Sequence, residues 1–210
     1  MGFSGPAFTS EVIEALGKLE DTGWGVRDSA VKVLRTLDAA SLAVHAADIV
    51  AKLGRSRKEV RKAASALLSR LDPASLAPHA AALVAMLKQS DMGVRFAAVE
   101  TLGRLDAAAL HDYVPTLDEF EANESIAQVR ICAATALIKV HPETLQERID
   151  EVVAKLQDPN PGIRKVALWT LGNLDVASVR RHATTVLGML EDPDDDVRIA
   201  ATRLRGEMDL

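Results

Sequence analysis

Histidine, cysteine and arginine are the residues whose types and spacing could do chemistry in this chain, and a metal site is the first possibility they raise. His45 and His79 are 34 residues apart, and His182 falls in the same column one repeat length at a time. Three imidazoles hold a divalent cation only if each ring nitrogen comes within about 2 Å of it. Members of a column one structural unit apart are separated by roughly 10 Å per step of packed helices. The same column also holds Tyr113 and Arg148, so a structural position near the start of a helix explains it better than coordination. Cys132 could be a nucleophile, but its column equivalents are Ser29, Ala63, Ala97, Val166 and Ala200. Small, mostly apolar company makes it a packing cysteine. A Gly-rich phosphate loop, a zinc-ligand cluster and a nucleophile elbow are all missing from the sequence.

Arginine supplies the strongest pattern. It follows a β-branched residue at Val26-Arg27, Val60-Arg61, Val94-Arg95, Val129-Arg130, Ile163-Arg164 and Val197-Arg198, with spacings of 34, 34, 35, 34 and 34. One unit is therefore copied six times, with one residue inserted in the fourth, and the chain reads as a single solenoid domain over 1–210. The repeats run approximately 9–38, 39–72, 73–106, 107–141, 142–175 and 176–210.

Within a unit, apolar residues such as Leu83, Val84 and Leu87 mark a first helix, and Lys88 to Gly93 form a turn. Val94, Ala98, Leu102 and Leu105 then lie in one stripe of a second helix. Alanine in the second stripe position, Ala30, Ala64, Ala98, Ala133, Ala167 and Ala201, leaves room for a neighbouring helix. Asp38, Asp72, Asp106 and Asp175 precede Ala, Pro or Val and suit caps where the chain restarts. Repeat four departs from the pattern: it places Asp118 and Glu121 in apolar columns, carries the insertion at Ala122 to Ser125, and ends His141-Pro142. We expect a local bend there rather than a dedicated acidic site. Arg205 replaces the column leucine in the last unit, which predicts a polar closing helix.

Composition narrows the function classes. Of 210 residues, 48% are hydrophobic but only 3% aromatic, the balance of closely packed Ala, Leu and Val helices. The longest apolar run, Ala80 to Leu87, is far short of the roughly 18 residues a membrane span requires. Met1 to Pro6 lacks the features of a signal peptide or a myristoylation site, and a lone cysteine suits a reducing compartment, so a cytoplasmic location is expected. A net charge of -5 argues against general affinity for nucleic acid.

The repeated residues resemble the HEAT-repeat family, in its short HEAT-like, PBS-lyase-type branch with an Asp-Pro-x-x-x-Val-Arg-x-Ala-Ala-x-x-x-Leu-Gly-x-Leu pattern. Asp158 to Leu174 and Asp192 to Leu204 match it best, and the resemblance extends from Glu11 onward. A 34-residue period also suits tetratricopeptide repeats, but their aromatic and small-residue signature is missing. RNA-reading helical repeats are disfavoured by the acidic charge. The resemblance implies an all-α fold, a right-handed α-solenoid of six HEAT-like helix pairs, with the second helices lining the concave side. It also implies a ladder between the turn Asp and the second-helix Arg of adjacent repeats, weakened in the first two by Gly23 and Arg57. The His-Glu motifs of HEAT-like deoxyhypusine hydroxylases have no counterpart, so no catalytic, metal or cofactor residue is assigned.

Opposite the buried stripe, the second helices carry eight basic and three acidic residues, together with large apolar ones. Arg70, Arg104 and Lys139 lie near helix C-termini, where a cation complements the helix dipole without any ligand. The remainder suggests a groove on repeats three to five, formed by Phe96, Arg104, Ile131, Ile138, Lys139, Lys165, Trp169 and Arg203. The expected function is a non-enzymatic protein-binding scaffold or adaptor holding an acidic, partly apolar helix or extended peptide. The alternatives are a HEAT-like enzyme or lyase subunit, phycobilin lyase-like or DNA glycosylase-like, and a structural fragment of a larger assembly.

Overall fold

The computed structural model describes residues 6–141 and 144–209. Among them every regular element is a helix. Pro142, where repeat four was expected to end differently, and Met1 to Gly5 lie outside the described residues. The chain divides into two compact units, Met1–Thr101 and Leu102–Leu210, each an α-solenoid segment of successive helix pairs.

In the first unit, α1 (Pro6–Lys18) packs on α2 (Trp24–Thr36). The next pair is α3 (Ala39–Val44) and α4 (Ala46–Leu53) with α5 (Lys58–Leu68), and the third is α6 (Pro73–Leu76) and α7 (Ala80–Met86) with α8 (Met92–Leu102). The second unit holds α9 (Ala107–Leu110) and α10 (Val114–Asn123) with α11 (Ala127–Val140), and α12 (Leu145–Ala154) with α13 (Pro161–Gly172). It closes with α14 (Val176–Arg180), α15 (Ala183–Gly188) and α16 (Asp195–Glu207). There α11, α13 and α16 pack against one another in sequence.

The second helices form where the stripe predicts. Ala64, Ala98, Ala133, Ala167 and Ala201 are each 0% exposed, as the close approach of helices requires. The first helix differs from expectation. In four repeats it is broken into a short opening turn (α3, α6, α9, α14) and a main helix. The side chains of Asp38, Asp72, Asp106 and Asp175 accept from the backbone N–H of Ser41, Ser75, Ala109 and Ser178 and so fix that opening turn. The chain then tightens through a 3₁₀ segment at Ala77–His79, where Pro78 removes one donor, and at His111–Tyr113.

The recurring arginine acts chiefly within its own repeat. Arg27 Nη1 donates to the carbonyls of Asp21 and Thr22 at 2.9 and 2.8 Å, closing the turn between the two helices. Arg61, Arg95, Arg130, Arg164 and Arg198 make the same bond to Arg55, Gln89, Glu124, Asp158 and Asp192. A β-branched residue aimed at the core places the next side chain over the turn, which explains the pairing. The bond between adjacent repeats is an addition: Arg164 grips Asp192 at 2.8 and 2.7 Å, and Arg61 stands 3.7 Å from Asp91. Where Arg57 occupies the acidic column, its guanidinium donates instead to the Asp21 carbonyl of the preceding repeat at 2.9 Å.

Repeat four keeps its acids occupied. Asp118 accepts from His141 Nε2 at 3.1 Å, and Glu121 takes Arg148 Nη1 from α12 at 2.9 Å. At the insertion, Glu124 is buried and accepts from Ile126 N at 2.9 Å.

Candidate binding surface

The expected groove residues divide into three groups. Ile131 and Ile138 are only 7% and 4% exposed, which corrects their place in an open groove. Every residue of α11 from Ile131 to Leu137 is buried as well, so its inner-face isoleucines serve as core. Its backbone is also engaged from the side, because Thr170 Oγ1 of α13 donates to the Ile131 carbonyl at 3.2 Å.

Lys139 forms the second group. Its Nζ donates to the carbonyls of Gly103 and Leu105 at 2.6 and 2.9 Å. Both carbonyls lie in the turn that leads into α9, so the ammonium ties α11 to that turn within the second unit. Burial pushes the ammonium below the usual lysine range, and the Asp106 charge opposes that shift. Arg70 makes the equivalent bond at 3.2 Å to the Arg35 carbonyl, and another to that of Leu37, at the end of α2. Two of the predicted inner-face cations are therefore structural.

Arg104, Lys165, Trp169 and Arg203 remain at the surface of the second unit. The Arg104 guanidinium carbon lies 5.9 Å from the Trp169 ring centroid, within cation–π range. Trp169 and Arg104 are half-buried, and Asn173 Nδ2 donates to the Trp169 carbonyl at 2.7 Å. Lys165 is one turn before Trp169 on the same face of α13, exposed and bonded to Asp196 at 2.8 Å. Arg203 takes the Trp169 position on the adjacent α16 and pairs with Glu207 at 2.8 Å. Phe96 belongs to the first unit, half-buried on α8.

Sequence reasoning missed a cleft of about 430 Å³ between α10, α11 and α12. Ile131, Ala134 and Val152 form its apolar wall, with Arg130, Arg148 and Glu147 among its polar lining. Its signal was the pair of acids in repeat four, read there as a bend; one of them, Glu121, holds Arg148 at the cleft.

The histidine column occupies helix starts. His45, His79 and His182 are N-cap residues of α4, α7 and α15. His182 Nε2 stands 3.2 Å from Asp150 of α12, as Arg148 faces Glu121 of α10, so these two members of the column lie against an acid of the preceding first helix. Among the described residues no three His, Cys, Asp or Glu side chains are grouped to hold a metal ion. None of the described helices is long and apolar enough to cross a membrane.

Residues 120–205 match the family model for HEAT repeats. That stretch, less than half of the chain, is similar to HEAT repeats. Among solved structures, the archaeal HEAT-like repeats protein of Thermococcus onnurineus NA1 aligns over 98% of this chain and 93% of its own, at 14% identity and a TM-score of 0.44. The Escherichia coli protein YibA aligns over 98% and 76%, at 17% identity and 0.43. A computationally designed armadillo repeat protein for modular peptide recognition aligns over 93% and 99%, at 15% and 0.43. No curated protein matches the sequence. The HEAT match spans the second unit's α11, α13 and α16, the helices that carry most of the surface described above.

Proposed function

We propose that this HEAT-repeat scaffold is a non-enzymatic adaptor that binds an acidic, partly apolar protein segment on the second helices of its second unit. The observation that carries this is the Arg104–Trp169 pair, an aromatic face and a guanidinium offered together. Lys165 and Arg203 flank it as exposed cations. Their present partners, Asp196 and Glu207, are exposed carboxylates on the same molecule. Exposed ion pairs are worth only about 0–1 kcal/mol, so an incoming carboxylate can exchange with them at small cost. Ile131 and Ile138 belong to the core of the same unit, Lys139 to a turn contact there, and Phe96 is a separate candidate contact on the first unit.

The test is a fluorescence titration against a peptide library graded in acidic and aromatic or aliphatic content. Acidic-apolar peptides should bind the wild type, with affinity falling as salt rises. Trp169→Ala should cost about 2 kcal/mol, roughly thirtyfold in affinity, and Lys165→Glu should weaken binding further. A peptide held equally by wild type, Trp169→Ala and Lys165→Glu would overturn the assignment.

A further inference from the structure

Junctions between successive second helices share one device, a polar arm of one helix laid over the first turn of the next, and the α1–α2 face and α16 carry matching halves of such a junction. At α13–α16, Arg164 donates to Asp192 and Lys165 to Asp196. At α5–α8, Arg61 faces Asp91, and its guanidinium fills the space a side chain at Gly93 would need. At α11–α13, the Gln128 amide covers Gly162 in the same manner. Each junction thus places a polar arm of one second helix over the first turn of the next.

The α1–α2 face offers the receiving half. Asp21 precedes Val26 by the interval that separates Asp192 from Val197. Gly25 stands where Gly93 and Gly162 stand, yet nothing lies within 4 Å of the place its side chain would take. Val26 and Val33 are 39% and 37% exposed, whereas Val60 and Leu67 in the same columns are 1% and 4%. Trp24 beside them is 74% exposed. α16 offers the inserting half. Arg198 stands in the column of Arg61 and Arg164, and Ile199 is 67% exposed in the column of Lys165. Thr202 and Arg205 are exposed in columns that α13 fills with Leu168 and Leu171, each 1% exposed.

We propose that the α1–α2 face is an interaction surface for a second copy of this chain, which docks its α16 there head to tail. Arg198 keeps its turn bond through Nη1, as Arg164 does; its Nη2 pairs with the exposed Asp195 of its own helix, and it turns its Nε edge to Asp21 of the other copy. Ile199 covers the open Gly25 slot against Trp24. Arg205 approaches Glu11, which lines a shallow hollow with Val33. Opposite charges meet at Arg198–Asp21 and Arg205–Glu11, and the apolar residues that the two faces expose meet. Such a contact joins unlike faces, so it builds chains or rings rather than a two-fold dimer.

Sedimentation velocity over a micromolar-to-millimolar series tests this with Trp24→Asp and Ile199→Asp. Both sites are exposed, and an aspartate in the first turn of α2 is favourable to the helix; circular dichroism confirms folding, with Val33→Asp and Arg205→Glu as the second pair. Wild type should grow in mass with concentration, and each variant alone should stay a single chain. The two variants mixed should form a complex of two chains and nothing larger, because each supplies the intact face the other lacks. A wild type that stays monomeric would overturn the proposal, as would association surviving either substitution or a mixture that forms no pair.

Discussion

Arg164 and Asp192 show how one side chain can serve two levels of structure. The guanidinium closes its own turn through Nη1 and grips the next repeat through Nε and Nη2. The Arg164 hydrogen bonds hold the Asp192 carboxyl below the usual carboxylate range, against the opposing effect of burial. A carboxyl whose folded pKa lies below its unfolded value binds fewer protons in the folded state, so its contribution is present above the unfolded pKa and lost as pH falls. Asp175 is shifted the same way by Ser178. Thermal melts should therefore show stability declining as the pH drops below about 4. Asp192→Asn should melt lower at neutral pH and decline less steeply in acid. An unchanged acid slope in the variant would show that Asp192 carries none of the effect.

Helix ends are where the elements of this fold are tied together. A second helix leaves its last carbonyls without intrahelical partners, and Arg70 from the following second helix satisfies them for α2; Lys139 of α11 binds turn carbonyls in the second unit in a similar way. Lys139→Met retains the aliphatic stem but leaves the Gly103 and Leu105 carbonyls without the donor. Leaving buried polar groups unmet costs about 1–3 kcal/mol, so chemical denaturation should show a loss of that size. Lys139→Arg should recover part of it. A neutral Lys139→Met would mean that solvent replaces the ammonium.

At the scale of the whole molecule, stability in a repeat array is a sum of unit and nearest-neighbour terms. α11, buried continuously from Ile131 to Ile138, lies among α9, α10, α12 and α13. α2 is covered far less, with Val26 and Val33 open. Amide exchange followed by mass spectrometry should find the slowest exchange in α11 and much faster exchange in α2. Equal protection of the two would refute this gradient at concentrations where the chain is monomeric. Head-to-tail docking of α16 should raise protection in α2 selectively as concentration increases.

The repeat itself was legible in the sequence, because a helix that buries one face must repeat its apolar residues at helical intervals and a copied unit must repeat its turn. Arg27 and its five equivalents, the stripe alanines and the capping aspartates all follow from local spacing. What Arg27 binds was not legible: spacing identifies a column, but the nearest carbonyl is set by how the turn folds. The candidate surface divided for the same reason. Ile131, Ile138 and Trp169 occupy equivalent inner-face columns, yet only Trp169 remains accessible, since burial depends on how neighbouring helices pack. Lys139 and Lys165 are both inner-face lysines, and tertiary packing alone decided that one binds turn carbonyls while the other faces solvent. Periodicity along the chain determined which residues share a face, and three-dimensional packing determined which of those faces are still open.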